Sequence, residues 1–127
     1  MLKRNLLLVL TLLLLQNSYS KNEEFRMKGT ISPDFNGQCV YLQILVNDTS
    51  RITLRDTIKN GSFYFHGKAY PDILSNLFFE TNSPRNFRFF LVPILESGDI
   101  YVDINNSNSL NSRVKGTYFN DEIAHYL

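Results

Sequence analysis

Residues 54–66 read LRDTIKNGSFYFH, and the pair near the centre of this stretch, Asn60-Gly61, governs the reading of the whole chain. Both residues tolerate positive φ, as a two-residue type I′ turn requires, and the twist of that turn matches a pair of antiparallel strands. The turn predicts a register in which Lys59 faces Ser62, Ile58 faces Phe63, Thr57 faces Tyr64, Asp56 faces Phe65 and Arg55 faces His66. Leu54, Ile58, Phe63 and Phe65 then share an apolar face, while Arg55, Thr57, Tyr64 and His66 share a polar to amphipathic one. Asp56 falls on the apolar face and reads as a rim position or a bulge.

The same period of two recurs on both sides of this hairpin, with turn residues between the runs. Upstream, Phe25, Met27, Gly29 and Ile31 alternate with Arg26, Lys28 and Thr30, and the run ends at Ser32-Pro33-Asp34. Val40, Leu42, Ile44 and Val46 alternate in turn with Cys39, Tyr41, Gln43 and Leu45. Downstream, Leu77 to Glu80 and Phe87 to Val92 read as strands, with Pro93 ending the second. Ile100, Val102 and Ile104 then alternate with Tyr101 and Asp103, and a short strand is predicted around Val114 to Gly116. Between them, Asn105 to Ser112 is a loop by composition. Asn120 reads as a helix N-cap, with Asp121 and Glu122 suited to the positive helix end. Seven to eight short strands without βαβ spacing predict an all-β fold, an antiparallel β-sandwich or partly open barrel with a short C-terminal helix start.

Ahead of these strands, Lys3 and Arg4 precede Leu6 to Leu15, a block of Leu and Val broken only by Thr11, and then the polar Gln16 to Ser20. This is the plan of a secretory signal peptide, with cleavage expected after Ser20. The block is about half the roughly twenty apolar residues that a membrane span needs, so no span is expected after signal cleavage. The sequence therefore divides into a signal peptide over 1–20, an all-β domain over 21–119 and the start of a connecting helix over 120–127. Export to the periplasm or cell envelope follows. Thirteen Lys and Arg stand against twelve Asp and Glu in 127 residues. Removal of the first twenty leaves 107 residues and a formal charge of −1. With both signs interspersed, the composition offers no case for nucleic acid or an anionic membrane surface. A single Cys excludes an intrachain disulfide, a C-x-x-C redox pair and a thiolate zinc site.

Five pieces in order carry a family resemblance: FRMKGTI over 25–31, GQCVYL over 37–42, NGSFYFHG over 60–67, FLVPILESGDI over 90–100 and VKGTYFN over 114–120. The chain resembles the domain of unknown function found N-terminal to TlpA-like, thioredoxin-fold thiol-disulfide oxidoreductases of the Gram-negative cell envelope. In those proteins a helix and a thioredoxin-like domain with W-C-x-x-C follow. No such motif occurs here, so the resemblance implies the accessory domain alone and does not carry redox activity over.

Among candidate sites, Cys39 has Gln38 and Val40 as chain neighbours, which supply neither a cation nor a helix N-terminus to activate a thiol. It reads as an inert, partly buried side chain, the alternative being a mixed disulfide with a thioredoxin-like partner. His66 lies on the polar face beside Tyr64 without the spacing of a metal site, and His125 is distant in the chain. Asp56, Glu80, Glu96, Asp99 and Asp103 fall mostly at turns or on polar faces, and there is no G-x-S-x-G elbow. The seventeen Phe and Tyr side chains divide by alternation: Phe63, Phe65, Phe79, Phe87 and Phe89 point inward, and Tyr41, Tyr64, Tyr101 and Phe78 point away. Outward aromatics on a sheet suit a peptide or carbohydrate interface, or a face covered by another domain. Cys39, Tyr41, Tyr64, His66 and Tyr101 are thus the candidate contacts, and no catalytic residue, metal or cofactor is expected. The expected function is an exported, non-catalytic module that partners a thioredoxin-like protein or peptide. The alternatives are a free-standing glycan- or peptide-binding sandwich and an inactive truncated remnant of a longer oxidoreductase.

Overall fold

A computed structural model describes residues 23–79, 89–105 and 111–125. The segment read as a signal peptide, Glu80, Phe87 and most of the Asn-rich loop lie outside the described residues. Eight strands form two four-stranded sheets. The strands are β1 (Glu24–Thr30), β2 (Cys39–Leu45), β3 (Arg51–Thr57), β4 (Ser62–Lys68), β5 (Ser75–Phe79), β6 (Phe90–Leu91), β7 (Gly98–Asp103) and β8 (Arg113–Lys115). The first sheet has the order β4-β1-β7-β8 and the second β3-β2-β5-β6. The sandwich is as expected, with one departure from antiparallel pairing: β1 and β7 run parallel.

The predicted alternation sets what goes inside. In β1, Phe25 and Met27 are buried while Arg26 and Lys28 are exposed; in β7, Ile100 and Val102 are buried while Tyr101 is exposed. Phe63, Phe65, Phe79 and Phe89 are all in the core. There Phe79 stacks on Phe35 with ring centroids 5.2 Å apart and meets Phe89 edge-on at 4.3 Å. Gly29 is required for a packing reason, since a Cβ there would stand 2.0 Å from the Phe63 ring.

The turn at Asn60-Gly61 is present, with φ of 52° and 67° and both Lys59–Ser62 backbone hydrogen bonds at 3.0 Å. The longer hairpin register is not. Thr57, Asp56 and Arg55 pair with Cys39, Val40 and Tyr41 in the second sheet, while Phe63, Tyr64, Phe65 and His66 pair with Gly29, Lys28, Met27 and Arg26 in the first. The two strands diverge because both carry inward apolar side chains, and a sandwich covers those faces with each other where a lone hairpin leaves them wet. The turn belongs to both sheets at once: Ile58 exchanges backbone bonds with Gln38 and Gly37, and the Gly61 carbonyl accepts from Ile31. Asp56 explains its odd position here. It is half-buried at the point of divergence, where its carboxylate accepts from the Thr57 and Tyr64 amides at 2.9 and 2.8 Å.

The C-terminal helix α1 spans Tyr118–Ala124, and its N-cap is Thr117, three residues before the expected Asn120. Asn120 is inside the first turn and buried. Its side chain pairs with both backbone groups of Ile94 at 2.9 and 2.8 Å and donates to Thr117 Oγ1. The first-turn amides of Phe119 and Asn120 are met by Glu96 Oε1, and Asp121 accepts from Gly116. A capping role assigned to Asn120 from its type is filled by a carboxylate from a distant loop.

Candidate functional site

The five candidate residues do not converge. Tyr64, His66 and Tyr101 project from the outer face of the first sheet, Cys39 and Tyr41 from the outer face of the second.

On the first sheet the register builds rows across the strands. Tyr64, Lys28, Tyr101 and Lys115 form one row spanning β4, β1, β7 and β8. His66, Arg26 and Asp99 form the next, and Ser62, Thr30, Asp103 and Arg113 flank the other side. Arg26 Nε sits 2.6 Å from Asp99, the ion pair found among the described residues. The hydrogen bond to Asp99, aided by its charge, raises the Arg26 guanidinium above its ordinary range. Tyr64 stacks beside His66 at 5.6 Å. Tyr101 rests against Gly116, where a Cβ would stand 2.8 Å from its ring. Tyr64 and Tyr101 are nonetheless 46% and 45% exposed.

The second sheet bears a different row, Arg55, Tyr41, Phe78 and Phe90. Tyr41 and Phe78 stack at 5.7 Å and are half-buried. Cys39 is buried, and Arg55 donates to its sulfur from Nη2 at 2.9 Å and Nε at 3.2 Å. Its chain neighbours Gln38 and Val40 supply no cation to this thiol, whereas Arg55 on the adjacent strand does.

A third surface was not foreseen. At the open edge between β6 and β8, a cavity of about 260 Å³ is lined by Phe90, Leu91, Val92, Val114, Ile123 and Ala124 among others. Of its lining, Phe90, Val92 and Ile123 are 64, 47 and 45% exposed, and Phe119, one turn before Ile123 on α1, and Tyr118 are 54 and 69% exposed. The run Tyr118-Phe119 was the available signal, but only the helix and strand edge together make it a patch.

Four of the candidate carboxylates lie among the described residues and each is engaged: Asp56 on two amides, Glu96 on the helix, Asp99 on Arg26 and Asp103 on Thr30 Oγ1. No group of three or more His, Cys, Asp or Glu among the described residues is arranged to hold a metal, and no described helix is long and apolar enough to cross a membrane. Residues 25–123 match the model of a family described as Domain of unknown function (DUF4369). Comparison with curated proteins found no match, and comparison with solved structures found none.

Proposed function

The chain belongs to the DUF4369 family of domains of unknown function, and from that premise we propose that it is an exported, non-catalytic module of the cell envelope that docks a thioredoxin-like protein. The patch formed by Phe90, Val92, Phe119 and Ile123 carries this reading. Monomeric proteins rarely leave several large apolar side chains exposed together around a hollow unless something covers them. The resemblance to domains that precede thioredoxin-like modules names the partner, and the patch lies beside the helix leading toward that point in the relatives. Docking is non-covalent, because Cys39, the single thiol of the sequence, is buried.

The test is titration of the signal-cleaved full chain with a purified exported thioredoxin-fold oxidoreductase. Combining Phe119→Ser with Ile123→Ser is expected to weaken binding more than about tenfold, as removal of central apolar anchors does, while Cys39→Ser leaves it unchanged. No binding by the unsubstituted chain, or equal binding by the double variant, overturns the proposal.

A further inference from the structure

The geometry points to the outer face of the first sheet as a binding platform for an acidic glycan, with sugar rings on Tyr64 and Tyr101 and acid groups on Lys28 and Lys115. Cross-strand register places these four residues in one line. With strands about 4.8 Å apart, the line is about 14 Å long and alternates ring, cation, ring, cation.

Both rings are held. Tyr64 is stacked by His66, and Tyr101 lies on the backbone of Gly116 with its remaining surface in solvent. Immobilised rings lose little freedom when a ligand stacks on them, which favours binding. The cations are available for a different reason. Lys28 and Lys115 have no acidic partner or hydrogen bond among the described residues, since Asp99 is taken by Arg26 and Asp103 accepts from Thr30. At the β4 end the row opens into a hollow of about 370 Å³ lined also by Lys59 and by Asp56, whose carboxylate already accepts from the Thr57 and Tyr64 amides. A terminal acidic sugar would find a second cation, Lys59, there.

The alternatives fit less well. A peptide that adds as a strand needs a free sheet edge, whereas this row crosses the face of strands already paired. A polyphosphate chain has no ring to lay on Tyr64 and Tyr101 and would use the two lysines alone.

The signal-cleaved chain is to be titrated by calorimetry with galacturonan oligomers and with a sulfated galactan of similar length. Neutral galactan, poly-glutamate and single-stranded DNA are run beside them. Binding of either acidic glycan is expected, at least about tenfold tighter than neutral galactan and weakening as salt rises. Lys28→Gln combined with Lys115→Gln should remove about tenfold or more of that affinity, Lys28→Arg should retain it, and Tyr101→Ala should cost about three- to tenfold, the range of one aromatic contact. All are surface substitutions, and an unchanged unfolding midpoint confirms the fold. No binding of either acidic glycan, equal binding of poly-glutamate or DNA, or indifference to Tyr101→Ala overturns the inference. Phe119→Ser with Ile123→Ser should leave glycan binding intact, which separates this site from the docking patch.

Discussion

The two outer faces of the sandwich are built from the same kind of sequence and end differently. Each displays a row of four residues with two or three aromatics. On the first sheet Tyr64 and Tyr101 are separated by Lys28 and stay about half exposed. On the second, Tyr41 and Phe78 are neighbours, stack and sink to half-buried, while Arg55 folds over Cys39. The interposed cation keeps Tyr64 and Tyr101 apart and presented outward; Tyr41 and Phe78 cover one another, while Phe90 at the end of their row stays 64% exposed. Alternation decides which face a side chain takes, and the neighbouring strand decides whether it remains available there.

This contrast can be broken from beneath. Phe79 follows Phe78 in β5 and fills the core between Phe35 and Phe89. Phe79→Ala is expected to cost about 3 to 5 kcal/mol in denaturant unfolding, as other large aromatic truncations in cores do. A loss below about 1 kcal/mol would show that the ring does not support the second sheet. A smaller effect sharpens the comparison directly. Tyr41→Ala should destabilise by about 2 kcal/mol through lost stacking and burial, whereas Tyr64→Ala should stay within about 0.5 kcal/mol. Equal losses would erase the distinction between a self-covered and a presented face. The smallest effect is expected for Arg26→Gln. Its ion pair with Asp99 is exposed and screened, so the thermal midpoint should not move, and a clear drop would mean that the pair organises the face.

Much of the layout was legible because it is local. Strand positions, the Asn60-Gly61 turn and the inward set Phe63, Phe65, Phe79 and Phe89 follow from period and turn chemistry. The outward set of Tyr41, Tyr64, Tyr101 and Phe78 follows in the same way. What was hidden depends on which strand lies beside which. Nothing near Asn60 says that β3 and β4 enter different sheets, although Asp56 on an apolar face was a trace of it. Nothing near Cys39 announces Arg55, and nothing near Asn120 announces Glu96. The period places Tyr41, Tyr64 and Tyr101 outward but does not tell one outer face from the other, so it leaves open which of the candidate contacts share a surface.

The turn shared by both sheets gives the sandwich a spine. On that side the sheets are joined by the continuous chain through Lys59 to Ser62 and by backbone bonds to either sheet. On the opposite side, β6 and β8 are bridged by α1, whose hold rests on the Asn120 and Glu96 side chains. The molecule is therefore bound like a book with a fixed back and a latched front. Its least costly opening is expected to lift the latch and leave the spine closed, at the edge that also carries the exposed apolar side chains of Phe90, Val92 and Ile123.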